Sequence, residues 1–363
     1  MSLKDAAPAE APAPPTFTPE VDRETARVYE RLRKVIPEAE WPVHAPYIAA
    51  INALKVEKRA VLLAHNYQTP EIFHGVADIT GDSLALAREA AKTDADIIVL
   101  CGVHFMAETA KILNPAKTVL IPNLEAGCSL AAAVTAEDVR LLRSRYPGVP
   151  VVTYVNTSAA VKAESDVCCT SANAVEIVEA LGTDRVIFLP DEYLAGNVAR
   201  ETGKHIIYPT RDPLPGPDSD LDYQLVGWTG RCEVHDKFTV ADIRRVREQF
   251  PDVVILAHPE CSPEVVAASD FSGSTTRMIR YVQETAAPHY LLLTECAMGD
   301  NIAAANPQKD MLRLCMVRCP HMNQITLEDT LKALQLTQYV VEVPEEIRVR
   351  AARAVERMLA IGS

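Results

Sequence analysis

The sequence predicts an α/β protein of three similar three-layer αβα domains, with parallel sheets around a pseudo-threefold axis and an active site at their central interface. Three observations predict this class. Apolar runs without polar alternation, typical of strands covered on both faces, recur at 59–67, 150–156 and 252–260. Helical and strand-like segments alternate after each run, which indicates parallel sheets between helices. Each repeat then ends in a cysteine that follows a further strand-like segment.

Composition and charge narrow the class of protein. The chain has 363 residues, which is long for one core and fits two or three domains. The formal net charge of −13 argues against a nucleic-acid partner, because phosphate binding needs a basic face. No apolar run approaches the roughly 20 residues that span a bilayer, and no secretory signal is recognisable. We therefore expect a cytoplasmic protein without a membrane partner.

The order of the elements predicts the domain boundaries. Residues 1–24 are expected to form a flexible tail, because the Ala/Pro/Glu-rich start has little apolar surface to bury. Apolar residues at three- and four-residue spacing predict helices at 25–35 and 42–55, within an N-terminal helical segment at 25–58. The three repeats are then expected at 59–145, 146–248 and 249–335. A terminal amphipathic helix at 345–359 lies in the last segment, 336–363.

An aspartate follows the first strand of each repeat, and five residues later a hydroxyl opens a helix. The pairs are Asp78 with Ser83, Asp166 with Ser171 and Asp270 with Thr275. A hydroxyl at a helix start is usually a cap for free backbone N–H groups. Three such helix starts in register also fit the binding of carboxylate or phosphate groups in a shared cavity. A dinucleotide site is disfavoured, since no G-x-G-x-x-G follows any of these strands.

Polar side chains gather where the first strand of each repeat ends. They are His65, Asn66, Tyr67, Tyr154, Asn156, His258 and Glu260. Carboxyl ends of parallel strands are where α/β proteins bind ligands. Because His, Tyr and Glu are groups that general acid–base catalysis uses, we interpret these residues as candidates for proton transfer.

Three cysteines occupy the same place in the three repeats. Intervals of 50, 66 and 49 residues separate Asp78 from Cys128, Asp166 from Cys232 and Asp270 from Cys319. If Cys315 were the third cysteine instead, its interval from Asp270 would be only 45 residues. The longer interval of 66 residues in the second repeat is explained by a Pro/Asp-rich loop at 211–222. The cysteines are either three buried thiols or three metal ligands. As ligands they cannot close a zinc site or a four-cysteine cluster, so one coordination position stays open beside His235.

At this point the residues resemble the quinolinate synthase family. Each matching segment is short, but their joint order and spacing from about residue 60 to 325 is specific. The segments are AHNYQ at 64–68, ADITGDS at 77–83, GC at 127–128, YVNT at 154–157, CTSAN at 169–173, WxGxCxxH at 228–235, HPEC at 258–261, GST at 273–275, TE at 294–295 and CxxM at 319–322.

The resemblance implies a [4Fe-4S] cluster with three cysteine ligands, Cys128, Cys232 and Cys319, and one open iron. It implies three similar αβα domains with the active site between them. It also implies condensation of iminoaspartate with dihydroxyacetone phosphate to quinolinate, with loss of phosphate and two waters, in de novo NAD biosynthesis. The open iron would be the Lewis acid, and an aspartate-oxidising enzyme would supply the iminoaspartate.

The resemblance further implies roles for the polar residues. Carboxylate or phosphate groups would be held by Ser83, Ser171, Ser274 and Thr275. Tyr154 and Asn156 would orient the part derived from iminoaspartate. The triose would be bound, or protons moved, by His65, Tyr67, His235, His258 and Glu260. Among these, Glu260 is the expected main acid–base group, with His235, Tyr67 and His65 as the other catalytic residues.

Two other classes of function can also use an iron–sulfur cluster or an anion-binding site. A hydro-lyase with an open cluster iron does not explain the phosphate-binding capacity or the set of motifs. An iron–sulfur or anion sensor calls for an output domain, and none is recognisable after Leu336. The family pattern gives no ligand role to the additional thiols Cys168, Cys261, Cys296 and Cys315, and the role of Cys169 stays open. Cys261 follows Glu260 directly, which leaves packing and a redox role as alternatives.

Overall fold

The computed structural model describes residues 13–209, 223–314 and 317–361. Two helices precede the first sheet, α1 (Pro19–Leu32) and α2 (Trp41–Glu57). Helix α1 begins six residues before the predicted start, inside the segment expected to be a tail. The local reason is a complete start signal: Thr18 accepts a hydrogen bond from the Val21 N–H, and Pro19 is the first helical residue. Residues 1–12 of the predicted tail lie outside the described part of the chain.

Three parallel sheets form the body of the protein. The first contains β1 (Ala60–His65), β2 (Ile79–Gly81), β3 (Ile97–Cys101) and β4 (Thr118–Leu120). The second contains β5 (Val151–Tyr154), β6 (Val167–Cys169), β7 (Val186–Leu189), β8 (Ile206–Ile207) and β9 (Leu225–Val226). The third contains β10 (Val253–Ala257), β11 (Phe271–Ser272), β12 (His289–Leu293) and β13 (Met311–Leu312).

The strand order is the same in each sheet. It runs β2-β1-β3-β4, β6-β5-β7-β9-β8 and β11-β10-β12-β13, with β8 as an additional edge strand in the second sheet. Every pair of neighbouring strands is parallel. The predicted fold class, α/β with three similar αβα units, is confirmed. The loop at 211–222 lies outside the described residues.

Helices connect the strands within each unit. Those of the first unit are α3 (Pro70–Phe73), α4 (Ser83–Lys92), α5 (His104–Leu113), α6 (Ser129–Ala133) and α7 (Ala136–Arg145). Those of the second are α8 (Ala159–Ala163), α9 (Ala174–Ala180), α10 (Glu192–Thr202) and α11 (Val240–Gln249). Those of the third are α12 (Pro263–Ala268), α13 (Thr275–Glu284), α14 (Cys296–Ala305) and α15 (Leu327–Leu336). Short 3₁₀ turns lie at Glu38–Glu40, His235–Lys237 and Met322–Gln324.

The three units contact one another in a closed ring. The helix after the third strand of each unit packs on the helix after the first strand of the next unit. The pairs are α5 with α8, α10 with α12, and α14 with α3. Because the first strands end beside these contacts, the polar residues that follow β1, β5 and β10 are brought to a common centre.

The repeated aspartates hold the first strand of each sheet. A carboxylate oxygen of each accepts a backbone N–H from that strand, in the pairs Asp78 with Leu62 (2.8 Å), Asp166 with Val151 (2.7 Å) and Asp270 with Ile255 (2.8 Å). Each aspartate also pairs with a cation, in turn Lys55, Arg143 and Arg247. Hydrogen bonds that involve a charged group are the stronger ones, so this recurring signal has a structural role.

The last helix, α16 (Glu345–Ile361), packs on α8 and β6 of the second unit. Its apolar face buries Ala351, Ala354, Val355 and Met358, as the amphipathic pattern predicts. Among the described residues, no helix combines the length and the apolar character needed to cross a bilayer.

Candidate active site

A cavity lies where the carboxyl ends of the three sheets meet. About 680 Å³ of space outside protein atoms lies within it, part of it open to solvent. Of the polar strand-end residues, helix-start hydroxyls and equivalent cysteines singled out from the sequence, these line it: His65, Tyr67, Ser83, Cys128, Tyr154, Asn156, Ser171, Cys232, His235, His258, Glu260, Thr275 and Cys319. Asn66 and Ser274 do not; the Asn66 Nδ2 donates to the Thr275 hydroxyl at 2.8 Å. The lining therefore draws on all three units, as expected for a site at a central interface.

The helix-start hydroxyls are not the caps of their helices. Asp82 caps α4, with its Oδ1 accepting from the Ala85 N–H at 2.9 Å, and Ser274 caps α13 by accepting from the Arg277 N–H. Ser83 and Thr275 are the first helical residues, one position later, and their side chains reach the cavity. Ser171 lies in the turn before α9 and also lines the cavity.

Ser274 is buried and does not line the cavity. Its hydroxyl donates to Asp82 Oδ2 at 2.9 Å, across the contact between the third and first units. The role of Ser274 in holding a substrate anion stays a prediction, and in this structure its hydroxyl is bonded to a carboxylate away from the cavity lining. Ser274 was named through the family resemblance, and its place one residue before Thr275 makes it the cap of α13.

Glu260 is the centre of a buried polar network. Its Oε2 lies 2.9 Å from His235 Nδ1, and its Oε1 accepts a hydrogen bond from the Tyr154 hydroxyl. The His258 Nδ1 is 3.9 Å from Oε1, and the rings of His235 and His258 stack with centroids 4.5 Å apart. Both carboxylate oxygens thus have partners in this network, which reaches from the second unit to the third.

Thr294, which follows β12, joins this network to the first unit. Its hydroxyl lies 2.9 Å from His235 Nε2 and 2.5 Å from the Tyr67 hydroxyl. Thr294 was part of a matching segment but was given no role from the sequence. Its position directly after a strand of the third sheet was the signal that identified the other candidates and could have identified it.

Burial and neighbouring groups shift the pKa values of the acidic and basic side chains in this network. Burial lowers the pKa of His65 to about 4 and that of His258 to about 3, so both rings are neutral near pH 7. Burial alone would raise the pKa of Glu260, but His235, His258 and the hydrogen bonds from His235 and Tyr154 lower it below its ordinary value. Glu260 is therefore ionised across the neutral range. Burial also raises the pKa of Tyr67 and Tyr154, which keeps both phenols protonated.

The buried histidines predict a loss of stability in acid. Between pH 6.5 and 4 the unfolded chain protonates His65 while the folded protein does not, so the unfolded state binds more protons and stability falls as the pH drops. We expect the loss between pH 7 and 4.5 to be about 2 kcal/mol for this histidine. Urea unfolding of wild type and His65→Gln at the two pH values measures it. An equal loss in both proteins would contradict the assignment.

The three cysteines have the same local geometry. Backbone N–H groups two and three residues after each cysteine act on its thiol and oppose the rise of its pKa, and the Met322 N–H donates to the Cys319 sulfur at 3.5 Å. Each is followed seven residues later by a threonine that caps a ten-residue helix, in the pairs Cys128 with Thr135, Cys232 with Thr239 and Cys319 with Thr326. This interval was visible in the sequence and supports Cys319 as the third equivalent cysteine. Cys315 lies outside the described residues.

The three cysteines are a donor set that a metal centre in this cavity would use. All three are half-buried and line one cavity. Burial raises the pKa of the Cys128 thiol to about 12 and that of Cys319 to about 11, so stable thiolates call for a compensating metal. In the described part of the chain, one set of three side chains has ligand atoms close enough together to hold a single metal ion. The set is Cys232, His235 and Glu260, whose ligand atoms lie within 4.8 Å of one another. Backbone N–H groups close to sulfur tune the properties of iron–sulfur clusters.

Further residues line the cavity, and the sequence predicted no role for them. His321 Nε2 lies 2.9 Å from the Glu233 carboxylate, which links the loops that carry Cys319 and Cys232. Phe105 and Met322 supply apolar surface. Among the described residues, the cavity lining does not include Cys168, Cys169, Cys261 or Cys296; the Cys261 thiol is fully buried and donates to the Leu293 carbonyl.

An α/β protein whose three parallel sheets converge on one cavity, lined by cysteine donors and a buried Glu–His–Tyr network, belongs to the class of enzymes with their site at a domain interface. The sequence profile of the family described as "Quinolinate synthetase A protein" matches residues 49–360. The chain is 58% identical to "Quinolinate synthase 2" of Mesorhizobium japonicum, covering 93% of this chain and 98% of that one. It is 56% identical to "Quinolinate synthase" of Agrobacterium fabrum, covering 93% and 92%. The chain belongs to the quinolinate synthase family and is an enzyme of that kind, with a role in NAD biosynthesis.

Proposed function

We propose that the protein condenses iminoaspartate with dihydroxyacetone phosphate to form quinolinate, phosphate and two waters. The observation that carries this proposal is the convergence of three equivalent cysteine turns and the Glu260 network on one cavity. The family membership supports it independently. We also propose that the enzyme acts in the cytoplasm, takes iminoaspartate from an aspartate-oxidising enzyme, and has no nucleic-acid or membrane partner.

Cys128, Cys232 and Cys319 would hold a [4Fe-4S] cluster with one iron free of protein ligands. When bound, the cluster supplies a Lewis acid that assists dehydration. The three thiols offer the donor set, and their backbone N–H partners stabilise negative charge on sulfur.

The hydroxyls and the helix starts would bind the charged groups of the substrates. Ser83 and Thr275 begin ten-residue helices, whose dipoles and first-turn N–H groups other than those capped by Asp82 and Ser274 favour carboxylate and phosphate. Ser171 would act with them from the turn before α9. We assign Ser274 to holding Asp82 in place, in line with its hydrogen bond. Tyr154 and Asn156 would orient the part derived from iminoaspartate, and His65, Tyr67 and His258 the triose.

Glu260 would be the main proton acceptor. Its low pKa keeps the carboxylate ionised, but Tyr154 and His235 occupy its two oxygens. A substrate proton would therefore reach Oε1 or Oε2 through the Tyr154 hydroxyl or the His235 ring. Because an ionised carboxylate only accepts hydrogen bonds, Glu260 would keep a proton on His235 Nδ1, while Thr294, which bonds Nε2 and the Tyr67 hydroxyl, would hold the far side of the ring.

The test is a single assay on protein purified without oxygen. Cluster-loaded protein is mixed with freshly generated iminoaspartate and dihydroxyacetone phosphate, and both quinolinate and phosphate are measured. We expect equal amounts of the two products, and none when either substrate is left out. Loaded protein that releases phosphate without quinolinate, or forms neither, would contradict the proposal. Iron without sulfide in that protein would instead favour a single ion at Cys232, His235 and Glu260.

A further inference from the structure

Two buried asparagines each reach from one unit into the strand-end loop of the next. On α10, Asn197 Nδ2 donates to the Pro259 carbonyl at 2.9 Å and to the Cys261 carbonyl at 3.0 Å. These carbonyls stand on either side of Glu260. On α14, Asn301 Nδ2 donates to the carbonyls of Asn66 at 3.2 Å and Gln68 at 2.8 Å, on either side of Tyr67.

The two amide groups are used only as double donors. The two N–H bonds of each NH₂ group donate to two different carbonyl oxygens. This pairing determines the orientation of the amide. Asn197 and Asn301 are 1% and 2% exposed, and among the described residues their Oδ1 atoms have no hydrogen-bond partner. An unpaired buried acceptor is unfavourable. The two donated hydrogen bonds are therefore the feature that favours asparagine at these positions.

The two asparagines are equivalent in the fold. Each stands six residues after the acidic cap of its helix, Asp191 for α10 and Glu295 for α14. Their targets are also equivalent. Ala64 and Ala257 hold matching positions in the first and third sheets, and each is followed by a histidine, His65 or His258. Tyr67 and Glu260 each stand two residues after that histidine.

The contact between the first and second units is built differently. The position on α5 that corresponds to the two asparagines is Thr109, whose hydroxyl returns to the Phe105 carbonyl at 2.8 Å. The carbonyl of Thr157, next to Asn156, is instead bonded by the fully buried Lys162 of its own unit. The amide clamp thus occurs at the two contacts whose loops carry the proposed proton-transfer groups Glu260 and Tyr67.

We propose that Asn197 and Asn301 are positioning residues, each clamping the backbone on both sides of a reacting side chain in the neighbouring unit. This inference rests on the proposed function for the roles of Glu260 and Tyr67, but the clamps themselves can be tested without it. Asn197 holds the Glu260 carboxylate against Tyr154 and His235. Asn301 holds the Tyr67 hydroxyl against Thr294.

The experiment compares Asn197→Leu, Asn301→Leu and Asn114→Leu in the full-length, cluster-loaded enzyme. Asn114 is a matched control: it is buried, and its Nδ2 also donates to two carbonyls, those of Ala90 at 2.8 Å and Ala110 at 3.1 Å, but it does not line the cavity. Amide hydrogen exchange is followed in the segments 65–68 and 258–261. Thermal stability and the separate kcat and KM values are measured beside it.

We expect a crossed pattern. Asn197→Leu should speed exchange at 258–261 only, and Asn301→Leu at 65–68 only, while Asn114→Leu changes neither. A displacement of about 1 Å at a reacting group lowers the rate about 100-fold, so kcat should fall by that order in both clamp variants. KM should stay within about threefold for Asn197→Leu, because the substrate contacts are kept. Even if Asn114→Leu loses as much thermal stability as the two clamp variants, it should keep the wild-type kcat.

The outcomes separate the clamp from the proposed function. Unchanged exchange in both target segments, or equal loosening of both segments by either variant, would overturn the clamp. Loosening of the expected segment with an unchanged kcat in an active enzyme would support the clamp and overturn the roles given to Glu260 and Tyr67.

Discussion

Cys319→Ala should leave a folded protein that retains no [4Fe-4S] cluster and forms no quinolinate, and Cys128→Ala and Cys232→Ala should behave in the same way. Each substitution removes one of three donors at equivalent turns around one cavity. With two thiolates left, two irons lack a protein ligand. Iron and sulfide analysis after anaerobic purification should fall from roughly four of each per chain to near zero.

The control for this prediction is Cys296→Ala. Cys296 is half-buried at the start of α14 and does not line the cavity, so its loss should leave iron, sulfide and activity at wild-type values. Cys315→Ala tests the alternative third ligand. If that variant lost the cluster while Cys319→Ala kept it, the equivalence of the third cysteine turn would be wrong. If wild type bound no iron after reconstitution, all three cysteines would be packing residues.

Glu260→Gln should fold, keep its cluster and lose kcat by a factor of about 10² to 10⁴, the usual contribution of one acid–base group. Glutamine preserves the size of the side chain but removes the negative charge that faces His235 and Tyr154. One end of the amide also becomes a donor, so it no longer accepts at both oxygens. The measurement is steady-state kinetics with iron content determined on the same sample.

Glu264→Gln is the matched control, because Glu264 is an exposed glutamate four residues along the chain, on α12. It should keep wild-type kcat. A Glu260→Gln enzyme with full activity and a full cluster would show that the network only supports the fold. A variant that lost its iron would show that Glu260 contributes to the metal site, as its closeness to Cys232 allows.

Much of the fold could be predicted because each repeat carries local signals. Apolar runs without alternation located β1, β5 and β10, and the turn from strand to helix recurred with an aspartate and a hydroxyl. The start of α1 was missed, although Thr18 and Pro19 form a recognisable start signal, because the composition of the segment before it dominated the interpretation. The aspartates proved to be structural, through hydrogen bonds to backbone groups 15 or 16 residues earlier in the chain.

By itself the sequence determined three αβα repeats, the ends of their first strands and the candidate residues that line one cavity, since short-range periodicity and spacing encode strand ends and helix starts. Only the tertiary structure decided which of these residues touch. Glu260 meets Tyr154 and His235 from another unit, and Thr294 joins Tyr67 to His235. The clamping role of Asn197 and the assignment of Ser274 to Asp82 emerged at the same contacts. The physical reason is that these hydrogen bonds form between surfaces of separate units, whose relative placement depends on packing over the whole ring.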